Sequence, residues 1–180
     1  MEGPQLFRGP LFTPLRSPAS PVQSKFMAAT PAQLHELLTY CMDFGQIMLK
    51  HSGEFYPFGA VLSPEGKVVA VGGSNGNEHP KAREIYHLLT ETFEFAAKNG
   101  KIFGAALAAN VNVPEQYDSP SRDALRVHLE TQGYARFIYA PYEITKSGFL
   151  KRKSAIILHE HFSVDVNPVF FTPDTGSVTH

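Results

Sequence analysis

Phe55-Tyr56-Pro57-Phe58-Gly59-Ala60-Val61-Leu62, Ser63-Pro64-Glu65-Gly66 and Lys67-Val68-Val69-Ala70-Val71-Gly72 follow one another without a break. Two apolar runs, rich in aromatic and β-branched residues, flank a segment with proline second and glycine last. Pro64 presets φ for the second position of a type I turn, and Gly66 tolerates the left-handed conformation that closes such hairpins. The stretch predicts two adjacent antiparallel strands, and with them a sheet as the core of the molecule.

Upstream, Thr30-Pro31-Ala32-Gln33 has the pattern of an N-cap threonine, a proline in the first helical position and a capping-box glutamine. Leu34, Leu37, Leu38, Cys41, Phe44, Met48 and Leu49 then recur at helical spacing. Lys50 and His51 suit the last turn of the helix, and Gly53 closes it. Downstream, the loop from Gly73 to Glu78 leads to His79-Pro80, the expected start of a second helix. Its apolar stripe is Ile85, Leu88, Leu89, Phe93 and Ala96, and Asn99-Gly100 ends it.

Ile102 to Val113 is apolar on both faces, the pattern of a strand central in its sheet or covered by a partner. Its small residues Gly104, Ala105, Ala106, Ala108 and Ala109 invite the close approach of a helix. Ala124 to Thr131 alternates, with Leu125, Val127 and Leu129 inward and Arg126, His128 and Glu130 expected outward, in water. Tyr134 to Tyr142 is a further strand, expected to end at Pro141. A basic loop with Lys146, Lys151, Arg152 and Lys153 leads to a strand over Ser154 to Val164. Val169-Phe170-Phe171 is either a short edge strand or a packed tail, and residues 172–180 are expected to fray.

Residues 1–26 hold Pro4, Pro10, Pro14, Pro18 and Pro21, which break any helix longer than about a turn. They are expected to form a disordered tail, with Met27 as a candidate true start and one domain over 27–171. The order α-β-β-α-β-β-β, with hairpin-type connections, predicts an α+β two-layer sandwich: an antiparallel sheet of about five strands with both helices on one face. Profilin-like and roadblock-like domains share this layout, an analogy of fold that carries no function.

The bulk composition excludes some classes of function. Lys and Arg number 16 against 17 Asp and Glu, so nothing steers the chain toward a polyanion and nucleic-acid binding is not expected. A single cysteine, Cys41, excludes an intramolecular disulfide, and a buried structural thiol is its simplest reading. No apolar run approaches the roughly 18 residues of a membrane span. The expected setting is cytoplasmic, without a membrane partner.

Several short patterns bear on chemistry. Gly72-Gly73-Ser74-Asn75-Gly76 matches the nucleophile-elbow pattern literally, with Asp118 and Asp123, then His128, His159 and His161, following in the right chain order. A hairpin arm before it and a helix starting only at Pro80 argue for a plain loop instead. The same loop, with Ser74 and His79, enters a helix N-terminus and so offers a weak anion site. His159-Glu160-His161 puts two imidazoles on one face of a strand, which is workable metal geometry with His79 or Asp165 completing it, but no third ligand sits at a diagnostic spacing. No cofactor is expected. The basic loop suggests at most an acidic partner protein. Among the aromatics, Phe55, Tyr56, Phe58, Tyr139 and Tyr142 are core or, on an uncovered sheet face, an interface.

The FYPF hairpin start (Phe55-Tyr56-Pro57-Phe58), the His79-Pro80 helix start, the strand Asp123-Ala124-Leu125-Arg126-Val127-His128-Leu129-Glu130 and the pair Pro141-Tyr142 resemble a group of small, uncharacterised bacterial proteins. The resemblance spans about Phe55 to Tyr142 and implies a bacterial source and an α+β fold, with no activity. The expected function is a non-enzymatic interaction or assembly module that homodimerises or binds another protein. The alternatives are a small-ligand sensor, or a hydrolase using Ser74 or a His159/His161 metal.

Overall fold

The computed structural model describes residues 28–147 and 153–173. The expected tail over 1–26, the candidate start at Met27, most of the basic loop and residues 174–180 lie outside the described residues. Among the described residues, two helices and seven strands follow in the order α1 (Pro31–Ser52), β1 (Phe58–Leu62), β2 (Val68–Gly72), α2 (Ala82–Lys98), β3 (Gly104–Asn112), β4 (Asp123–Thr131), β5 (Tyr134–Ser147), β6 (Lys153–Leu158) and β7 (Phe162–Asp165). Every strand pairing is antiparallel, and the fold is α+β with its helices packed on the sheet. The sheet runs β2-β1-β3-β4-β5-β6, with β7 also on β5. Neither helix is long and apolar enough to cross a membrane.

The opening hairpin forms as its sequence dictates. Gly66 adopts φ 76° and donates to the Ser63 carbonyl at 2.9 Å, closing the turn. In α1, Thr30 and Gln33 form the reciprocal capping box, and Gly53 at φ 76° ends the helix with its N–H on the Leu49 carbonyl. Its inner stripe is Leu37, Cys41, Gly45 and Leu49, while Phe44 of the expected stripe lies on a flank, partly in solvent. Helix α2 starts at Ala82, later than His79-Pro80 predicts. Asn75 Oδ1 accepts from the Asn77 N–H and Asn77 Oδ1 from the His79 N–H, two successive turns that hold the backbone out of a helix.

The two helices lie on opposite faces of the sheet, which corrects the expected one-sided, two-layer arrangement. Helix α1 packs on Phe58, Ala60, Leu62, Ala106, Ala108, Leu125, Val127 and Leu129. Helix α2 packs with Ile85, Leu89, Phe93 and Ala97 on Val61, Ala105 and Leu107, residues of the other parity. Gly59 makes the second contact possible: a Cβ there would meet Phe93 Cζ at 2.7 Å and the Ala106 carbonyl at 2.5 Å. A sheet whose central strand is apolar on both faces needs two covers, and the connection from β2 to β3 supplies the second.

Pro141 does not end β5, which continues to Ser147. The partner strand is interrupted opposite it, between Leu158 and Phe162, and the His159 N–H bonds the Pro141 carbonyl at 2.9 Å. Tyr142 pairs with Leu158 and Tyr139 with Phe162, so one extra residue is accommodated between them as a bulge. The strand expected over Ser154 to Val164 is therefore two strands joined by a bend. This break contributes to the count of seven rather than about five strands. Val169-Phe170-Phe171 takes the packed-tail alternative, with Phe170 against Phe93 at 5.5 Å between ring centroids.

Candidate functional site

The residues singled out in the sequence scatter over the fold. Phe55, Phe58 and Tyr142 belong to the core under α1, with the Tyr142 hydroxyl donating to Asn110 Oδ1 at 2.8 Å. Tyr139 is buried on the opposite face, in a cluster with Val113 and Ala124. Of the five aromatics, Tyr56 alone is well exposed. Ser74 and His79 lie in the exposed loop before α2, where the Ser74 hydroxyl accepts the Gly76 N–H at 3.4 Å. Among the described residues no histidine or acid hydrogen-bonds to Ser74, and the strand-turn-helix that a nucleophile elbow requires is missing.

His159 and His161 flank the bulge instead of sharing a regular strand face. The His159 ring lies 3.1 Å from Glu143 Oε1, and His161 is exposed. Among the described residues no group of three or more His, Cys, Asp or Glu side chains is placed to hold a metal ion.

Two other regions carry more. The first is the outer edge of β6. This strand pairs with β5 on one side, and among the described residues no strand pairs with the other. Ala155-Ile156-Ile157-Leu158 carries no charge, and Ile157 and Leu158 are 46% and 37% exposed. Between this strand and the C-terminal half of α1 lies a cleft of about 350 Å³ lined by Gln46, Lys50, Ala155, Ile156 and Leu158.

The second is a polar row on β4. Arg126, His128 and Glu130 share the face that alternation assigns to water, yet His128 is 3% and Glu130 0% exposed. This corrects the expected wet strand. The cover is the C-terminal segment: Glu130 Oε1 accepts the Val169 N–H at 2.8 Å, and Oε2 accepts those of Phe170 and Phe171 at 2.8 and 3.2 Å. A buried carboxylate is tolerated when such donors replace water. His128 Nε2 approaches Glu130 Oε1 at 2.6 Å but is poorly aimed for a well-formed N–H···O bond, so the backbone donors do most of the compensating. The His128 ring packs on Phe137 and Phe170, each 4.6 Å away between centroids.

Arg126 sits one step further along the row. Its guanidinium carbon lies 4.3 Å from the Phe137 ring centroid and 5.3 Å from that of Tyr86 on α2. Burial pushes the Tyr86 hydroxyl above its ordinary pKa, partly offset by the charge of Arg126. Sequence alternation alone missed this row. The available signal was Val169-Phe170-Phe171, an apolar triplet in search of a surface. Comparison with protein-family models, with curated proteins and with solved structures found no match for this chain.

Proposed function

We propose that this protein is a non-enzymatic interaction module that self-associates through the outer edge of β6. The observation that carries the reading is the uncharged, partly exposed run Ala155 to Leu158 on a strand edge that no strand among the described residues pairs. Such edges present free N–H and C=O groups to another strand, and proteins that stay monomeric blunt them with charges, prolines or a cover. A two-fold axis beside β6 would pair it with its own copy. This replaces the uncovered sheet face as the basis for assembly, because both faces carry helices. With Cys41 buried and free, a cytoplasmic setting fits the reading.

Sedimentation equilibrium at micromolar concentration tests it. The wild-type chain is expected to be a dimer. Ile157→Lys is expected to be a monomer with an unchanged circular dichroism spectrum, since the lysine falls on an exposed position. A monomeric wild type sinks the proposal, as does a dimer that Ile157→Lys leaves intact.

A further inference from the structure

We propose that Arg126 anchors a second, independent site on the α2 face, one that takes a small organic carboxylate with an apolar or aromatic body. The site does not depend on the β6 edge. Its argument begins with charge. A guanidinium keeps its proton in a protein, and the part of it that leaves water needs a partner because desolvation is costly. Arg126 is half-buried, and among the described residues its Nε, which is out of solvent, has no hydrogen-bond partner. Among the described residues no carboxylate oxygen lies within 4.0 Å of this side chain, whereas Arg122 and Arg136 each have one.

The neighbours do not supply the missing charge. Glu130, the closest acid along the row, already accepts three backbone N–H groups and faces His128. The Tyr86 hydroxyl, its pKa pushed up by burial, interacts with the Arg126 guanidinium but brings no negative charge. The rings of Phe137 and Tyr86 compensate a cation only in part. A carboxylate taking the planar fork in a bidentate pair completes the environment.

The surroundings favour an organic ligand over an inorganic ion. Cross-strand register puts Tyr139 beside Arg126 and Phe162 beside Tyr139. Those two rings stack at 5.2 Å, and Tyr117 packs against both. Tyr86, Phe137, Phe162 and Tyr117 are each only partly buried, so an apolar ligand body has aromatic surface to cover next to the cation.

The rival explanation is a purely structural arginine stacked between rings. Titration of the full chain with benzoate, acetate and inorganic phosphate separates the two, read by thermal unfolding and by the Nε–Hε resonance of Arg126. Benzoate is expected to raise the melting temperature and to shift that resonance. Acetate is expected to act only at about tenfold higher concentration or more, and Arg126→Gln to lose the benzoate response by a similar factor. Arg126→Lys, which keeps the charge without the fork, is expected to fold and still lose most of the response. The proposal is overturned if benzoate leaves the wild-type resonance in place, or if Arg126→Lys responds as the wild type does. Phosphate binding more tightly than benzoate overturns the organic body and leaves a bare anion site.

Discussion

Beneath α1 the sheet offers Phe58, Ala60, Leu62, Ala106, Ala108, Leu125, Val127 and Leu129, an apolar surface that meets an apolar helix stripe. On the other face, next to the apolar surface under α2, it offers Arg126, His128 and Glu130. The first side is closed by the ordinary pairing of amphipathic elements. The second is closed in part by a stretch of chain whose backbone N–H groups satisfy a buried carboxylate. Residues adjacent in β4 thus obey opposite logics, Leu129 by transfer from water and Glu130 by hydrogen bonding.

The largest expected effect is on the α2 side. Phe93→Ala removes the ring that meets Gly59 and Phe170, and is expected to cost about 4 kcal/mol in urea unfolding. A cost under about 1 kcal/mol would mean that α2 is a loose cover and that the α1 side alone carries the fold.

Leu129→Ala and Glu130→Leu sharpen the contrast, since the two positions are neighbours on opposite faces. Each is expected to cost about 3 kcal/mol. Only Glu130→Leu is expected to speed hydrogen exchange at the Val169, Phe170 and Phe171 amides. Equal exchange in both variants would break the distinction between the two covers. Gly59→Ala is expected to cost about 2 kcal/mol, because the new Cβ meets backbone on β3 and the Phe93 ring at once.

The smallest effect probes the α1 side by pH. Burial pushes the Cys41 thiol up from 9.0 to about 12. A raised folded pKa means that this contribution is intact below pH 9 and is lost as pH climbs from 9 toward 12, with about 1.4 kcal/mol gone by pH 10, where the profile is read. Cys41→Ala is expected to flatten that stretch of the stability profile, and native Cys41 to resist thiol reagents at pH 8. Rapid labelling without unfolding would contradict the burial.

Local signals and tertiary outcomes part at identifiable residues. The capping box at Thr30 and Gln33, the glycine turn at Gly66 and the both-faced apolar run of β3 were legible because each is governed by residues close in sequence. The start of α2 was not, because Asn75 and Asn77 outcompete the His-Pro signal with their own turns. Pro141 was misread as a terminator because the bulge that excuses its missing N–H lies on a strand well ahead in the chain. Of the two candidate sites, the β6 run was readable as a strand and its edge position was not. The Arg126 row was visible as residues and invisible as a cluster.

By itself the sequence determined the class of the protein: an antiparallel sheet with two amphipathic helices, near-neutral charge and one cysteine for the core. Periodicity and turn chemistry are local properties, and local properties survive without knowledge of the fold. The tertiary structure alone decided which face each helix takes, which strand is left at the edge and which charges are buried. Those outcomes depend on what is brought over a surface from far along the chain, as the Val169 to Phe171 segment is brought over Glu130, some 40 residues away.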